Sequence, residues 1–400
     1  MAEGASERIR TLDLIRGVAV LGILAVNIAG FAGPSFATLT PNYPAPGSSA
    51  DQWVFGATIL LFEGKMRALL SILFGAGMVL FMDRAEARGR DSGVHQARRL
   101  GWLLLFGYLH FTLLWSGDIL FAYAFLGLVA LALRHMDERE LWWGALAFYL
   151  LWHMAGAIIS FSPLANAPGE IARGLADRAT QEAGVLTGGY GAMVLHRLTE
   201  QWFHPLDGGI SSLGETVPLM AMGMVLQLRG FFSGVWPRAR VQTIAVWCSA
   251  SGAILTLAFL GWALPHRFPA PVVLDYMLYW SALPHLLMAL GYAAVLVLVS
   301  PRLGEIWLGR RLGAAGRMAF SNYLGTSLVM CLLFNGWGLG LALRFGTAEL
   351  FGFVLLGWAL MLGWSEPWLR HFRQGPLEWA WRSLTEWQWL PFRREGQLCL

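Results

Sequence analysis

Lysine is almost missing from this 400-residue chain. Of its 29 basic residues 28 are arginine, and the single lysine is Lys65. Charge of either sign is scarce, at 14% of residues, and there are only three cysteines. Cys248 and Cys331 fall inside apolar runs and Cys399 lies at the extreme C-terminus. With no CxxC pair and no metal-ligand spacing, neither a zinc site nor a disulfide framework is expected. No Walker loop, nucleophile elbow or HExxH helix occurs, which removes the commonest ATPase, hydrolase and metalloprotease readings. The net charge of +4 is concentrated in short arginine-rich loops, a pattern of membrane topology and not of nucleic-acid binding.

Apolar sequence is what the chain has in abundance. Hydrophobic residues make up 56% of it and the mean hydropathy is +0.53, more than a soluble domain of this length needs. Twenty tryptophans suit interfacial belts, where an amphipathic ring is at home. The fold class predicted is therefore all-α: a polytopic membrane helical bundle. About ten spans fall near 12–33, 53–82, 100–116, 119–134, 141–161, 214–229, 240–263, 275–299, 316–336 and 347–368. Arginines gather in alternate connectors (Arg8 and Arg10; Arg84 to Arg99; Arg134 and Arg139; Arg238 and Arg240; Arg302 to Arg311; Arg370 to Arg394). The short opposite connectors, 34–52, 116–118, 264–274 and 337–346, carry only Arg267 and Arg344, so both termini are expected to be cytoplasmic. The first apolar run is too long for a signal peptide and is interrupted by Asn27, so it reads as an uncleaved helix. The organisation expected is an N-terminal bundle of about five spans (1–161), an outer connector (162–213) and a C-terminal half (214–400). Helical periodicity at 169–183 and 190–204 predicts amphipathic pieces on the outer membrane surface. The tryptophan- and arginine-rich tail after Phe372 suits a cytoplasmic interfacial helix.

Charge within a span is costly, at least roughly 2.5–3.5 kcal/mol per group at the bilayer centre, so Phe62-Glu63-Gly64-Lys65-Met66-Arg67 stands out. The i,i+4 spacing of Glu63 and Arg67 predicts an intramembrane ion pair on one helix face. Lys65, rotated by about 200° on a continuous helix, needs another partner or a polar cavity. Such a cluster either braces the bundle or lines a site. In the first helix Arg16 and Asn27 are eleven residues apart, which returns to nearly the same face about 16 Å along the axis. Asp13 is the simplest partner for Arg16. In the third span His110 lies eight residues before Asp118, which sits in the turn Trp115-Ser116-Gly117-Asp118. A carboxylate beside an imidazole fixes its tautomer and raises its basicity, as a general base requires, although a lone intramembrane histidine is often only a bundle hydrogen bond. Gly316-Arg317 and Asn322-Tyr323 fall near the cytoplasmic mouth of the ninth span. Phe74-Gly75-Ala76-Gly77 offers a small-residue face for helix packing.

In this order the segments resemble the YeiB-like bacterial inner-membrane proteins, whose C-terminal half defines domain of unknown function 418. The resemblance rests on Arg10 to Gly17 with Asn27, Glu63 to Arg67, Phe74 to Gly77, Gly107 to His110, Gly117 to Leu120, Gly316 to Tyr323 and Gly375 to Thr385. It implies a multi-pass protein of the inner membrane. The first helices are also similar to those of a wider group of transmembrane acyltransferases, which move an acyl group from cytoplasmic acyl-CoA to an acceptor across the membrane. There an arginine is followed eleven residues later by a catalytic histidine. Here Arg16 matches, but the second position is Asn27, which cannot act as the base.

That resemblance implies an acyl-CoA-dependent O- or N-acyltransferase with no metal. Its partners would be membrane lipid and a glycan, lipid or small-molecule acceptor, with no nucleic acid; a homo-oligomer is left open. His110 oriented by Asp118 would serve as base and Asn27 as a donor to the oxyanion. Arg16, Lys65, Arg67, Arg317, Asn322 and Tyr323 would make up the CoA and polar-path side. The alternatives are a transporter or channel with a polar intramembrane path, and a non-catalytic membrane scaffold or receptor with a dry, fully paired polar core.

Overall fold

A computed structural model describes residues 2–394, so Cys399 and the side chain of Arg8 lie outside the described residues. Among those residues the chain is helical throughout, with one isolated antiparallel bridge between Phe372 and Arg393. The first half comprises α1 (Ala2–Ala32), α2 (Ser49–Leu61), α3 (Lys65–Glu86), α4 (Ser92–Leu113), α5 (Leu120–Ala132) and α6 (Glu138–Asn166). The connector folds as α7 (Pro168–Thr187), α8 (Tyr190–Thr199) and α9 (His204–Ser211). The second half comprises α10 (Leu213–Leu228), α11 (Arg238–Ala263), α12 (Ala270–Asp275), α13 (Ala282–Leu303), α14 (Trp307–Arg317), α15 (Ala319–Phe334), α16 (Thr347–His371) and α17 (Pro376–Glu386).

Among the described residues six stretches are long and apolar enough to cross a membrane: Arg10–Ala32, Ser49–Glu86, Glu138–Phe161, Arg238–Ala263, Ala282–Leu303 and Thr347–His371. A seventh is added if α9 and α10, bent by 64° at their junction, count as one. The remaining expected spans coincide with α4, α5 and α15, which do not join that set. At 1.5 Å per residue α5 and α15 reach only about 20 and 24 Å, short of a hydrocarbon core of about 30 Å.

The layers follow from which helices bury their apolar surface. The apolar windows of α1 and of α2–α3 are 67% buried inside the protein, against 17% for α11 and 22% for α6 and α16. Almost every residue of α10 from Gly214 to Gln227 is buried. The centre is thus α1, α3 and α10, with α6, α11 and α16 turned outward. The halves interleave: α1 packs on α14, α15 and α16, and α3 packs on α10 and α13. Gly75 carries the α3–α10 crossing, where its Cα faces the Met220 carbonyl.

The 53–82 segment is not one helix. It breaks at Phe62–Gly64, where Gly64 takes φ 69° and lies so close to His285 that a Cβ would sit 1.9 Å from the ring. The break overturns the predicted Glu63–Arg67 ion pair. The two residues stand on either side of it, so helical i,i+4 geometry does not connect them, and Arg67 instead holds Glu215 of α10 at 3.0 Å. The break also accounts for the lone lysine. Lys65, with no exposed surface, donates from Nζ to the Ile59 carbonyl at 2.6 Å, at the carbonyl end of α2. Glu63 lies beside Gly64, the N-cap residue at the amide end of α3. Each charge therefore sits at the half-helix terminus of opposite partial charge.

The connector differs from expectation in part. Helices do form at 168–187 and 190–199, but α8 does not simply lie on a surface: Met193 and Arg197 are buried against the bundle.

Candidate active site

The site begins with two glycines. Gly17 of α1 and Gly316 of α14 let those helices meet backbone to backbone: a Cβ at Gly17 would lie 2.0 Å from the Leu312 carbonyl oxygen, and one at Gly316 1.8 Å from that of Asp13. Each glycine neighbours an arginine, so the crossing delivers Arg16 and Arg317 to the same opening. That opening leads into a cavity of about 520 Å³. Its charged lining contains Arg16, Arg84, Arg88, Arg99, Arg317 and Arg382 against Asp13, Glu378 and Glu386, an excess of three positive charges. Further in the walls are apolar, formed by residues such as Val20, Ile23, Leu70, Leu73 and Phe74, and the far end is marked by Ile119, Tyr123 and Tyr323.

Arg16 is paired with a carboxylate, whereas Arg99, Arg317 and Arg382 are held by neutral groups that leave their charge available. Arg16 bonds Asp13 at 3.1 Å. Arg99 lies between the rings of Phe81 and Trp381, 4.8 and 4.3 Å from their centroids, which orients a planar cation without neutralising it. Arg317 reaches the Arg373 carbonyl, and Arg382 the Gln374 side chain.

Helix α17 closes one wall of the cavity and is tied down at both ends. Glu378 accepts the backbone N–H groups of Phe320 and Ser321 at the start of α15, at 2.8 and 3.1 Å, where the amide end of a helix favours an anion. Glu386 is gathered by Arg90, by His95 at 3.3 Å and by Arg88 at 3.9 Å. Burial alone would raise the Glu386 carboxyl, but the hydrogen bonds and charges of Arg90 and His95 prevail and hold it below the usual glutamate value.

At the inner end, His110 and Asp118 are brought together. His110 Nδ1 lies 2.7 Å from Asp118 Oδ1, and both side chains are sealed from solvent. The other carboxylate oxygen caps the start of α5 by accepting the Phe121 N–H at 2.7 Å, which locks Asp118 in place. With the carboxylate ionised and the ring neutral, the proton sits on Nδ1 and Nε2 carries the lone pair. Among the described residues Nε2 is buried with no hydrogen-bond partner. His110 does not line the cavity itself. Its ring packs against Tyr323, centroids 5.2 Å apart, and Tyr323 does line it. The Tyr323 hydroxyl is held only by long contacts, to the Ile119 N–H at 3.4 Å and the Gly117 carbonyl at 3.5 Å.

Among the other expected site residues, Arg16, Arg317 and Tyr323 line the cavity, whereas Lys65, Arg67 and Asn322 do not. Asn322 ties helices together, donating to the Ala315 carbonyl and Ser365 and accepting from Trp364. Asn27 borders a separate void of about 10 Å³, which shares Val20, Ile23 and Tyr323 with the main cavity. Arg67 continues the α3 stripe that lines the cavity at 70, 74 and 77, and its side chain is 36% exposed. Sequence reasoning missed His95 and Glu386 as lining residues. Arg84, Arg88, Arg99 and Arg382 belong to the cytoplasmic arginines expected collectively to hold CoA phosphates, but the sequence did not single them out. Gly375 to Thr385 was visible only as a motif, because nothing local says that α17 folds back over α4 and α15.

Comparison with known proteins agrees with this sequence pattern. Residues 226–388 match a family described as a protein of unknown function, DUF418. The chain is 30% identical over 391 residues to the uncharacterized protein YeiB of Escherichia coli (strain K12), covering 95% of this chain and 96% of that one. It is 31% identical over 411 residues to the uncharacterized protein YxaH of Bacillus subtilis (strain 168), covering 98% of each. An uncharacterized 39.9 kDa protein in the amylase 3' region of Bacillus acidopullulyticus is 28% identical over 398 residues, covering 95% of this chain and 94% of that one. No solved structure matches. With full-length relatives at this identity and its C-terminal half matching the family profile, the chain belongs to the YeiB-like, DUF418 family.

Proposed function

We propose that the protein spans the bacterial inner membrane about ten times, the short α5 and α15 included, with both termini cytoplasmic, and transfers an acyl group from cytoplasmic acyl-CoA to a hydroxyl or amine acceptor. The observation that carries the reading is one cavity that joins an arginine-rich mouth to apolar walls and ends at Tyr323, packed on the His110–Asp118 pair. An excess of three positive charges suits a diphosphate-bearing head, because arginine binds phosphate oxygens in pairs. The apolar walls suit an acyl chain. None of the three relatives' names speaks of acyl transfer, so the support is physical.

In this reading His110 Nε2 takes the proton of the acceptor O–H or N–H as that atom attacks the thioester carbonyl. Asp118 keeps the imidazole oriented and stabilises the imidazolium. The oxyanion that forms accepts hydrogen bonds from the Tyr323 hydroxyl, whose residue lines the main cavity, and from the Asn27 amide, whose residue borders the small void that shares Tyr323 with it. Collapse breaks the C–S bond, and the proton passes from His110 to the leaving thiolate. Tyr323 must turn aside for His110 to meet substrate, and its long hydrogen bonds oppose that movement only weakly.

Titration of detergent-purified protein with acetyl-CoA and a long-chain acyl-CoA tests the binding half. Arg16→Ala and Arg317→Ala should each weaken binding about tenfold, the loss of one charge-assisted contact. Wild-type protein that binds no acyl-CoA would end this reading.

A transport reading is favoured by a different observation. Both α2–α3 and α9–α10 are broken helices, as in transporters, and the partly exposed Arg67–Glu215 pair extends the cavity stripe toward the outer side. Solute counterflow in proteoliposomes lacking any acyl donor would support it. The scaffold reading called for a dry, fully paired core, and a cavity of about 520 Å³ with charged lining runs against it.

A further inference from the structure

Arg197 belongs to α8 in the outer connector, yet it is only 6% exposed. One guanidinium nitrogen, Nη1, donates to two backbone carbonyls, Phe111 at 3.0 Å and Thr112 at 3.3 Å. Among the described residues it makes no ion pair with a carboxylate. Burying a cation without a counter-ion is expensive, and burial pushes the Arg197 guanidinium down to about 10. What compensates it is the carbonyl end of α4, where the last turn leaves acceptors unsatisfied and carries partial negative charge.

That turn is the one bearing His110. A second group of the connector holds the same place: the His204 ring stacks on Phe111, centroids 6.0 Å apart and nearly parallel. From the other side the Cys331 thiol donates to the Leu114 carbonyl at 3.2 Å. His110 has a partner for Nδ1 but none for Nε2, so its aim depends on the backbone that carries it.

We infer that Arg197 is a positioning residue, clamping the last turn of α4 from the outer connector and so holding His110 in register with Asp118. The connector is then part of the site and not only a link between two halves. A sequence search would not select Arg197, since an arginine in an amphipathic connector normally faces water.

The test compares wild type, Arg197→Met and Arg197→Lys in lipid nanodiscs by amide hydrogen exchange and by acyl-CoA turnover. In Arg197→Met, exchange in 108–118 should rise at least about tenfold while α3 keeps its protection, and Arg197→Lys should restore most of it. Turnover, a readout that rests on the acyl-transfer reading, should fall roughly 10- to 100-fold with acyl-CoA affinity unchanged, the mark of misplacement and not of lost binding. The exchange result stands apart from that reading: silent wild-type protein would defeat the transferase proposal, while local loosening of 108–118 would still support the clamp. Unchanged exchange at 108–118, or loosening spread evenly over the bundle, would overturn it. Should Arg197→Met not fold, Arg197→Lys exchanging like wild type at 108–118 supports the clamp, because it keeps the cation at the carbonyls. Equal loosening everywhere in that variant overturns it.

Discussion

Single side chains carry opposite lessons here. The i,i+4 rule joined Glu63 to Arg67, and it failed because Gly64 interrupts the helix between them. The residues that matter at the break are Glu63 and Lys65, set at facing half-helix ends. Removing either leaves the other with less to offset its burial, so Glu63→Gln and Lys65→Met should each destabilise, by at most about 3–5 kcal/mol. The double variant should cost less than the sum, because both changes remove parts of one arrangement. Thermal unfolding in a single detergent measures this, and additive losses would argue against a shared role. Gly64→Ala meets both a positive φ and the His285 ring. It should cost at least about 2 kcal/mol. His110 and Asp118 were legible because eight residues that end a helix and enter a turn can fold a carboxylate back onto an imidazole. Asn322 was misjudged because a polar residue near a membrane face can equally serve helix packing, and sequence does not separate the two roles.

At the scale of elements, α17 is the piece least readable from sequence. Its tryptophans and arginines fit an interfacial helix, but its placement over the cavity depends on Glu378 meeting the start of α15, 57 and 58 residues away, and on Glu386 meeting Arg90 and His95, 296 and 291 residues away. Because the folded state holds the Glu386 carboxyl below its ordinary value of 4.5, its tether is fully present above that value. It is lost as pH falls beneath it, through the lower folded value. A pair of spin labels at Val94 and Gln388 should therefore report one short distance from neutral pH down to about 5, with a longer population appearing only in stronger acid. Glu386→Gln should produce the longer population at neutral pH. A distance that lengthens between pH 8 and 6 would assign the tether to another group. The break in α2–α3 was foreshadowed by the length of the apolar run, whereas the burial of α8 was not, since amphipathic periodicity cannot say which face meets protein.

For the whole molecule, the all-helical class, the apolar runs and the family were plain in the sequence, since they need only composition, periodicity and motif order. The cavity was not, because it is assembled from α1, α3, α4, α5, α14, α15 and α17, and no local pattern records that convergence. Its one sequence trace is the pair Arg16-Gly17 and Gly316-Arg317, where a glycine beside each arginine permits the crossing that brings both cations to one mouth. The direction of transfer depends on topology. Reporter fusions at Gly47 and Gly208 should read outside, and those at Gly89 and the C-terminus inside. A reversed pattern would place the arginine-rich mouth on the wrong side for cytoplasmic acyl-CoA.

The most direct test of the central claim is thiol release from acyl-CoA by wild type and His110→Ala in proteoliposomes supplied with a hydroxyl or amine acceptor. Asp118→Asn serves as the intermediate case, since it disturbs orientation and leaves the imidazole. The account predicts release by wild type, a fall of roughly 10²- to 10⁴-fold in His110→Ala with acyl-CoA binding unchanged, and a smaller fall in Asp118→Asn. His110→Ala releasing thiol at the wild-type rate, or wild type releasing none with any acyl donor, would contradict it.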